Sequence, residues 1–174
     1  MMNFRVEDDF IQSYFRSPGL FLDVGAGDGK TNSNIYPLLD RKWKGCGIEH
    51  DMIKFLHLLS TYNPFNAMYH EGRGLFPFKR TLGTETNKES VRLDHLVPLL
   101  PFSFYDFINI SIPPPLGWKL LCQLPLFHMQ PSLIAVRAEA NEESRENLGK
   151  LLPKQYCKIV MQSYEYIFVT GNYD

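Results

Sequence analysis

The run Phe21-Leu-Asp-Val-Gly-Ala-Gly-Asp-Gly29, followed by Cys46-Gly-Ile-Glu-His50, constrains this chain more than any other feature. A short apolar run that stops at a glycine cluster reads as a buried strand entering a tight turn. The second run ends in an acid, which sets a carboxylate at the end of a second buried strand. Such a pair belongs to a sheet whose strands alternate with helices.

The flanking periodicities agree. Val6, Phe10, Ile11, Tyr14 and Phe15 recur at helical spacing behind Glu7, Asp8 and Asp9, and Ser17-Pro-Gly19 stops them, so 1–19 is a lead-in helix. Thr31, Asn32, Ser33 and Asn34 offer caps to a helix that reaches Asp40, with Pro37 in its first turn or kinking it. The second strand is expected over 45–49. Asp51 then caps a helix whose Met52, Ile53, Leu56 and Leu59 form an apolar stripe, ended by Asn63-Pro64. A third strand is expected over 65–69, and 71–90 is expected to be an irregular excursion over the site, with a short strand at 75–78. Beyond it the pattern predicts a helix over 93–100, a strand over 104–112 and a helix over 117–127 broken by Pro125. A strand over 133–137, a helix opened by Asn141 and a closing hairpin through Tyr156–Phe168 complete the series. The fold class is therefore α/β: a Rossmann-like, doubly wound, mostly parallel sheet with helices on both faces and a C-terminal antiparallel β-hairpin. At 174 residues the chain suits a single domain over 1–174.

Composition narrows the function classes. Lys and Arg number 18 against 19 Asp and Glu, with no long block of one sign, so no clear nucleic-acid signal is present. Early charges at the N-terminus, and no run near the roughly 18 apolar residues of a membrane helix, give the expectation of a soluble, cytoplasmic protein. Cys46, Cys122 and Cys157 are dispersed and read as buried or half-buried free thiols. The five histidines form no metal-ligand spacing, so no metal is expected.

The turn carries the chemistry. Glycines at 25, 27 and 29, with Ala26 between the first two, remove the side-chain atoms that would keep a ligand from the backbone. Their G-x-G-x-G spacing is tighter than the G-x-G-x-x-G of dinucleotide sites. Asp23, two residues ahead of the first glycine, suits a cofactor with an amino-acid tail, because its carboxylate can bind an ammonium. Glu49 lies at the end of the second strand, where two oxygens can accept ribose hydroxyls, and His50, Asp51 and Met52 would flank an adenine.

On these segments the chain resembles the class I S-adenosylmethionine-dependent methyltransferases, and within them it looks most like the FkbM family, a group assigned to O-methylation. Trp43-Lys-Gly-Cys-Gly-Ile-Glu49, Val91-Arg-Leu-Asp-His-Leu96 and Tyr105-Asp-Phe-Ile-Asn-Ile110 resemble family segments in the same order as the glycine turn. The resemblance implies S-adenosylmethionine as cofactor, with Asp23, Gly25, Gly27 and Gly29 on its methionine part and Glu49 on its ribose. It also implies an adenine contact from His70 and Glu71, and a small-molecule or glycan acceptor. One segment departs from the family: Ser111-Ile-Pro-Pro114 stands where FkbM members carry D-x-E-G, so no catalytic role is assigned there. Ser111-Ile-Pro-Pro-Pro also matches poorly the motif of amino-methyltransferases and reads more simply as a proline stop. A base, if needed, would come from His70, Asp94 or His95. Two other readings stand beside this one: a non-catalytic cofactor-binding or interaction module, and a nicotinamide-dependent oxidoreductase, which the tight turn and the lack of a Tyr-x-x-x-Lys relay disfavour.

Overall fold

The computed structural model describes residues 5–68, 75–87, 90–139, 141–156 and 158–171. Seven strands form one sheet in the order β3-β2-β1-β4-β5-β7-β6. They are β1 (Leu20–Val24), β2 (Lys44–Glu49), β3 (Leu75–Lys79), β4 (Phe107–Ile110), β5 (Leu133–Arg137), β6 (Lys158–Gln162) and β7 (Tyr166–Thr170). The first five run parallel, while β7 pairs antiparallel with both β5 and β6. The doubly wound sheet and its closing hairpin are those expected from the alternation of patterns.

The two-residue period of the strands divides the core. Phe21, Phe107, Leu133 and Phe168 point to one face, covered by α1 (Val6–Tyr14), α2 (Tyr36–Leu39) and α3 (Met52–Met68) through Ile11, Leu38, Leu39, Leu58 and Tyr62. Leu22, Val24, Ile108, Ile110, Ile134 and Val136 point to the other, under α4 (Leu93–Leu96), α5 (Leu116–Leu121), α6 (Leu126–Met129) and α7 (Glu142–Leu151). Both layers are buried apolar surface, the dominant stabilising term of such a sheet.

Three expectations change. The third strand lies at Leu75–Lys79, not 65–69: α3 carries Pro64 inside it and continues to Met68. Pro64 leaves the carbonyl of Ser60 without its helical amide, but Ser60 is on the exposed side, where water can replace that partner. Second, the stripe of Met52, Ile53, Leu56 and Leu59 faces outward, with exposures of 51%, 68%, 55% and 40%. Leu58 and Tyr62 pack inward instead, with Phe55 partly buried beside them. The helix is apolar around most of its circumference, so periodicity alone does not choose its buried side. Third, the segment before β2 forms only one helical turn, Tyr36–Leu39, with Pro37 near its start as expected. Ser33 Oγ accepts from the amides of Ile35 and Tyr36 at 3.1 Å each and caps that turn.

The chain order doubles back after β3, so β4 enters on the far side of β1. In open α/β sheets the crevice beyond the carboxyl ends at such a switch point is where ligands bind. Among the described residues, no helix is long and apolar enough to cross a membrane.

Candidate functional site

At that switch point lies a cleft of about 540 Å³, within the roughly 300–1,000 Å³ range of small-molecule sites. Asp23, Gly25, Ala26 and Gly27 line it from the end of β1, Ile48, Glu49 and His50 from β2, and Ser111, Ile112 and Pro113 from the end of β4. Six of the residues singled out in sequence therefore meet in one place: Asp23, Gly25, Ala26, Gly27, Glu49 and His50.

The glycines of the turn have separate duties. All three adopt positive φ, 81° at Gly25, 62° at Gly27 and 76° at Gly29, a region that side chains disfavour. A Cβ on Gly27 would meet nothing within 4 Å, so this residue opens onto the cleft. A Cβ on Gly29 would stand 2.6 Å from Leu58 Cδ1. Gly29 is thus not among the cleft residues; it lets the turn sit against α3. A Cβ on Gly25 would press on Ile112 at 2.8 Å, which brings the ends of β1 and β4 close together.

Glu49 is buried and holds the turn from the neighbouring strand. Its Oε2 accepts from the Gly27 amide at 2.7 Å, while Oε1 accepts from the amides of His50 and Asp51 at 2.8 Å each. His50 Nδ1 lies 3.0 Å from the same Oε1. A carboxylate offers about four lone-pair sites, so the acceptor capacity left is chiefly on Oε2.

Asp23 ends a polarised chain of side chains. Arg5 Nη2 donates to Asn34 Oδ1 at 3.1 Å, Asn34 Nδ2 to Asn109 Oδ1 at 2.9 Å, and Asn109 Nδ2 to Asp23 Oδ1 at 2.7 Å. The guanidinium can only donate, so it fixes both amide orientations and aims the last donor at the carboxylate. Burial pushes the Asp23 carboxyl up to about 7; the Asn109 bond opposes the rise and the charge of Glu49 adds to it. Asn109 Nδ2 also donates to Ser111 Oγ at 2.8 Å, and the Tyr166 hydroxyl donates to that oxygen at 3.1 Å. With both its acceptor positions filled, Ser111 keeps its own proton to donate.

Sequence reasoning missed several of these groups. Asn109 had a visible signal, a polar residue inside the apolar run Phe107–Ile110. Tyr166 had none: β7 runs antiparallel beside β5, and that direction alone brings its first residue to the carboxyl edge, opposite Arg137. Arg80, Thr81 and Leu82 line the cleft because β3 ends at Lys79. The shift in β3 also alters the place of His70, which precedes that strand and does not follow it; His70 and Glu71 lie outside the described residues. Asp51 caps α3 by accepting from the Lys54 amide at 2.9 Å, and neither it nor Met52 lines the cleft. Asp94 pairs with Arg92 at 2.7 Å and His95 Nδ1 lies 2.8 Å from Thr86 Oγ1; neither reaches the cleft. Cys46 is buried as expected, with its thiol pushed up to about 12 by burial, whereas Cys122 is exposed. Among the described residues no group of three or more His, Cys, Asp or Glu could hold a metal ion.

Solved structures give this arrangement its context. A methyltransferase FkbM from Methylobacillus flagellatus KT superposes with a TM-score of 0.70 at 13% identity, over 95% of this chain and 48% of that one. The fold is that of the class I methyltransferases. A ribosomal protein L11 methylase from Lactobacillus delbrueckii subsp. bulgaricus matches with a TM-score of 0.62 at 12% identity, covering 94% of this chain and 74% of its own. A methyltransferase from Pyrococcus furiosus matches at 0.58 and 14% identity, over 93% and 79%. No protein-family model and no curated protein sequence matches the chain.

Proposed function

We propose that the chain is an S-adenosylmethionine-dependent methyltransferase that acts on a hydroxyl of a small molecule or glycan. The observation that carries this reading is the pairing of Gly27 with Glu49. At one residue the turn leaves open space where a Cβ would stand, and beside it a buried carboxylate retains an acceptor position. Glu49 would take a ribose hydroxyl, Asp23 the ammonium of the amino-acid tail, and Gly25 to Gly27 would let that tail approach the backbone. His50, Arg80, Thr81 and Leu82 would border the adenine; His70 stays a proposed neighbour by resemblance. When bound, this cofactor supplies a sulfonium-activated methyl group to a nucleophile. The chain's own part is alignment, for which Ser111 offers a donor, and Ile112, Pro113 and Leu116 an apolar wall that limits water.

Resemblance to FkbM segments supports an oxygen acceptor, while the methylase of a ribosomal protein among the structural neighbours makes the acceptor the point to test. Ser111-Ile-Pro-Pro114, in place of the family's D-x-E-G, favours a second reading, a cofactor-binding module without turnover. Calorimetry with S-adenosylmethionine, its demethylated product and NAD, followed by a labelled methyl-transfer screen against hydroxyl acceptors, separates these readings. Cofactor binding with turnover is expected. Binding without turnover would favour the module, and tighter binding of NAD would overturn the assignment.

A further inference from the structure

A second hollow, of about 810 Å³, adjoins the cleft and shares Pro113, Arg137 and Glu165 with it. Its walls come from the ends of β4 and β5, from α5, from the start of α7 and from the turn between β6 and β7. A hollow that borders the proposed cofactor cleft beside the end of β4 is placed for an acceptor to meet a donated methyl.

The chemistry of its walls is selective. Among the described residues that line it, Glu139, Glu143 and Glu165 stand with one cation, Arg137, and Glu165 lies 3.8 Å from that guanidinium. Asn141 is occupied in holding the rim: its Oδ1 accepts from the Ser144 amide at 2.8 Å, and its Nδ2 donates to Glu139 Oε2 at 3.2 Å. Glu139 is thereby oriented. Two aromatic rings complete the hollow. Tyr164 is 87% exposed, and the Trp118 indole N–H is spent on the Arg137 carbonyl at 3.3 Å, which leaves the ring surface as what Trp118 can offer.

Nucleic acid binds through unpaired cations that neutralise phosphates. A wall with three carboxylates and one paired guanidinium repels that class, and repels anionic metabolites for the same reason. Aromatic faces beside carboxylates suit a molecule with a C–H surface and a positive charge. We infer that this hollow is the acceptor subsite and that it takes a polyhydroxylated molecule bearing a protonated amine, an amino sugar in chemical class. Glu139 and Glu143 hold the ammonium, Trp118 and Tyr164 pack on the ring, and a hydroxyl turns toward Pro113, where the two hollows join. This inference rests on the methyltransferase reading of the adjoining cleft.

The test uses the full chain saturated with S-adenosylhomocysteine and two matched probes, a glucosamine tetramer with free amines and its fully N-acetylated counterpart. The chain has two tryptophans, the buried Trp43 and the groove-lining Trp118, so two indole N–H resonances report the core and the subsite separately. The aminated tetramer is expected to move the Trp118 signal and to bind about ten-fold tighter than the acetylated one. In a Glu139→Gln, Glu143→Gln double variant that preference should vanish while Trp43 stays in place. Equal binding of the two probes, a Trp118 signal that neither moves, or tighter binding of a short single-stranded RNA would overturn the acceptor claim. Calorimetry of the demethylated cofactor runs alongside. Its failure to bind would sink the cleft reading and the acceptor claim with it, whereas normal cofactor binding with a silent Trp118 would overturn the acceptor claim alone.

Discussion

The Gly27 amide donates to Glu49 Oε2 at 2.7 Å, tying the turn after the first strand to the acid that ends the second. That bond joins the glycine turn to the carboxylate, whose other oxygen is held by the amides of His50 and Asp51. Removing the carboxylate strips acceptors from the Gly27, His50 and Asp51 amides at once. Glu49→Ala should weaken S-adenosylhomocysteine binding by about 1–3 kcal/mol. Glu49→Gln should lose less, since one amide oxygen still accepts. Isothermal titration on variants with unchanged circular dichroism checks this; undiminished affinity in folded Glu49→Ala would remove the ribose contact from the proposal.

Gly27 and Gly29 should fail in different ways. A valine at 27 enters open cleft space, so cofactor binding should be lost with a modest fall in stability from the positive φ. A valine at 29 is driven against Leu58 and Tyr62, so the expected loss is in stability, about 1–3 kcal/mol for overpacking beyond the backbone strain. Denaturant titration and cofactor binding measured on both variants distinguish the two duties.

The raised carboxyl of Asp23 predicts a pH dependence. An unfolded aspartate titrates near about 3.9, whereas in the folded chain burial lifts Asp23 to about 7. Its contribution to stability is thus complete below the unfolded value and is lost as pH climbs through the folded one. Asp23→Asn should gain thermal stability over the parent progressively from pH about 4 to about 7, then keep a constant lead. Binding of the cofactor's ammonium should strengthen over the upper part of that range in the parent and not in Asp23→Asn. A melting-temperature difference that does not vary with pH would contradict this account.

The third helix offers a contrast between its sides. Leu58→Ala removes a fully buried side chain and should cost about 2–5 kcal/mol. Leu56→Ser, on the side that is 55% exposed, should change stability little, within about 0.5 kcal/mol. Equal losses at the two positions would mean that the outward face is covered in solution.

Much of the architecture was legible because the signals are local. Apolar runs, turn glycines and caps such as Asn141, which accepts from the Ser144 amide at 2.8 Å, act over a few residues and can be read in order. Pro64 misled because a proline's effect depends on whether its missing bond can be replaced from outside the helix, and the third strand was displaced as a result. The buried side of an all-round apolar helix was equally out of reach.

The candidate site divides along the same line. Asp23 and Gly27, at the end of β1 and in the turn after it, and Glu49, at the end of β2, could be named in advance, since a strand end and a glycine turn are local signals. Asn34, the neighbours Asn109 and Ser111, and Tyr166 come from three distant segments, and the hydrogen bonds that join those segments exist only once the sheet order is set. By itself the sequence determined the succession of strands and helices and the two acids at the strand ends. Tertiary structure decided which face of each helix is buried, how the polar chain reaches Asp23, and that an acidic, aromatic hollow adjoins the cleft, because those depend on contacts between residues far apart in the chain.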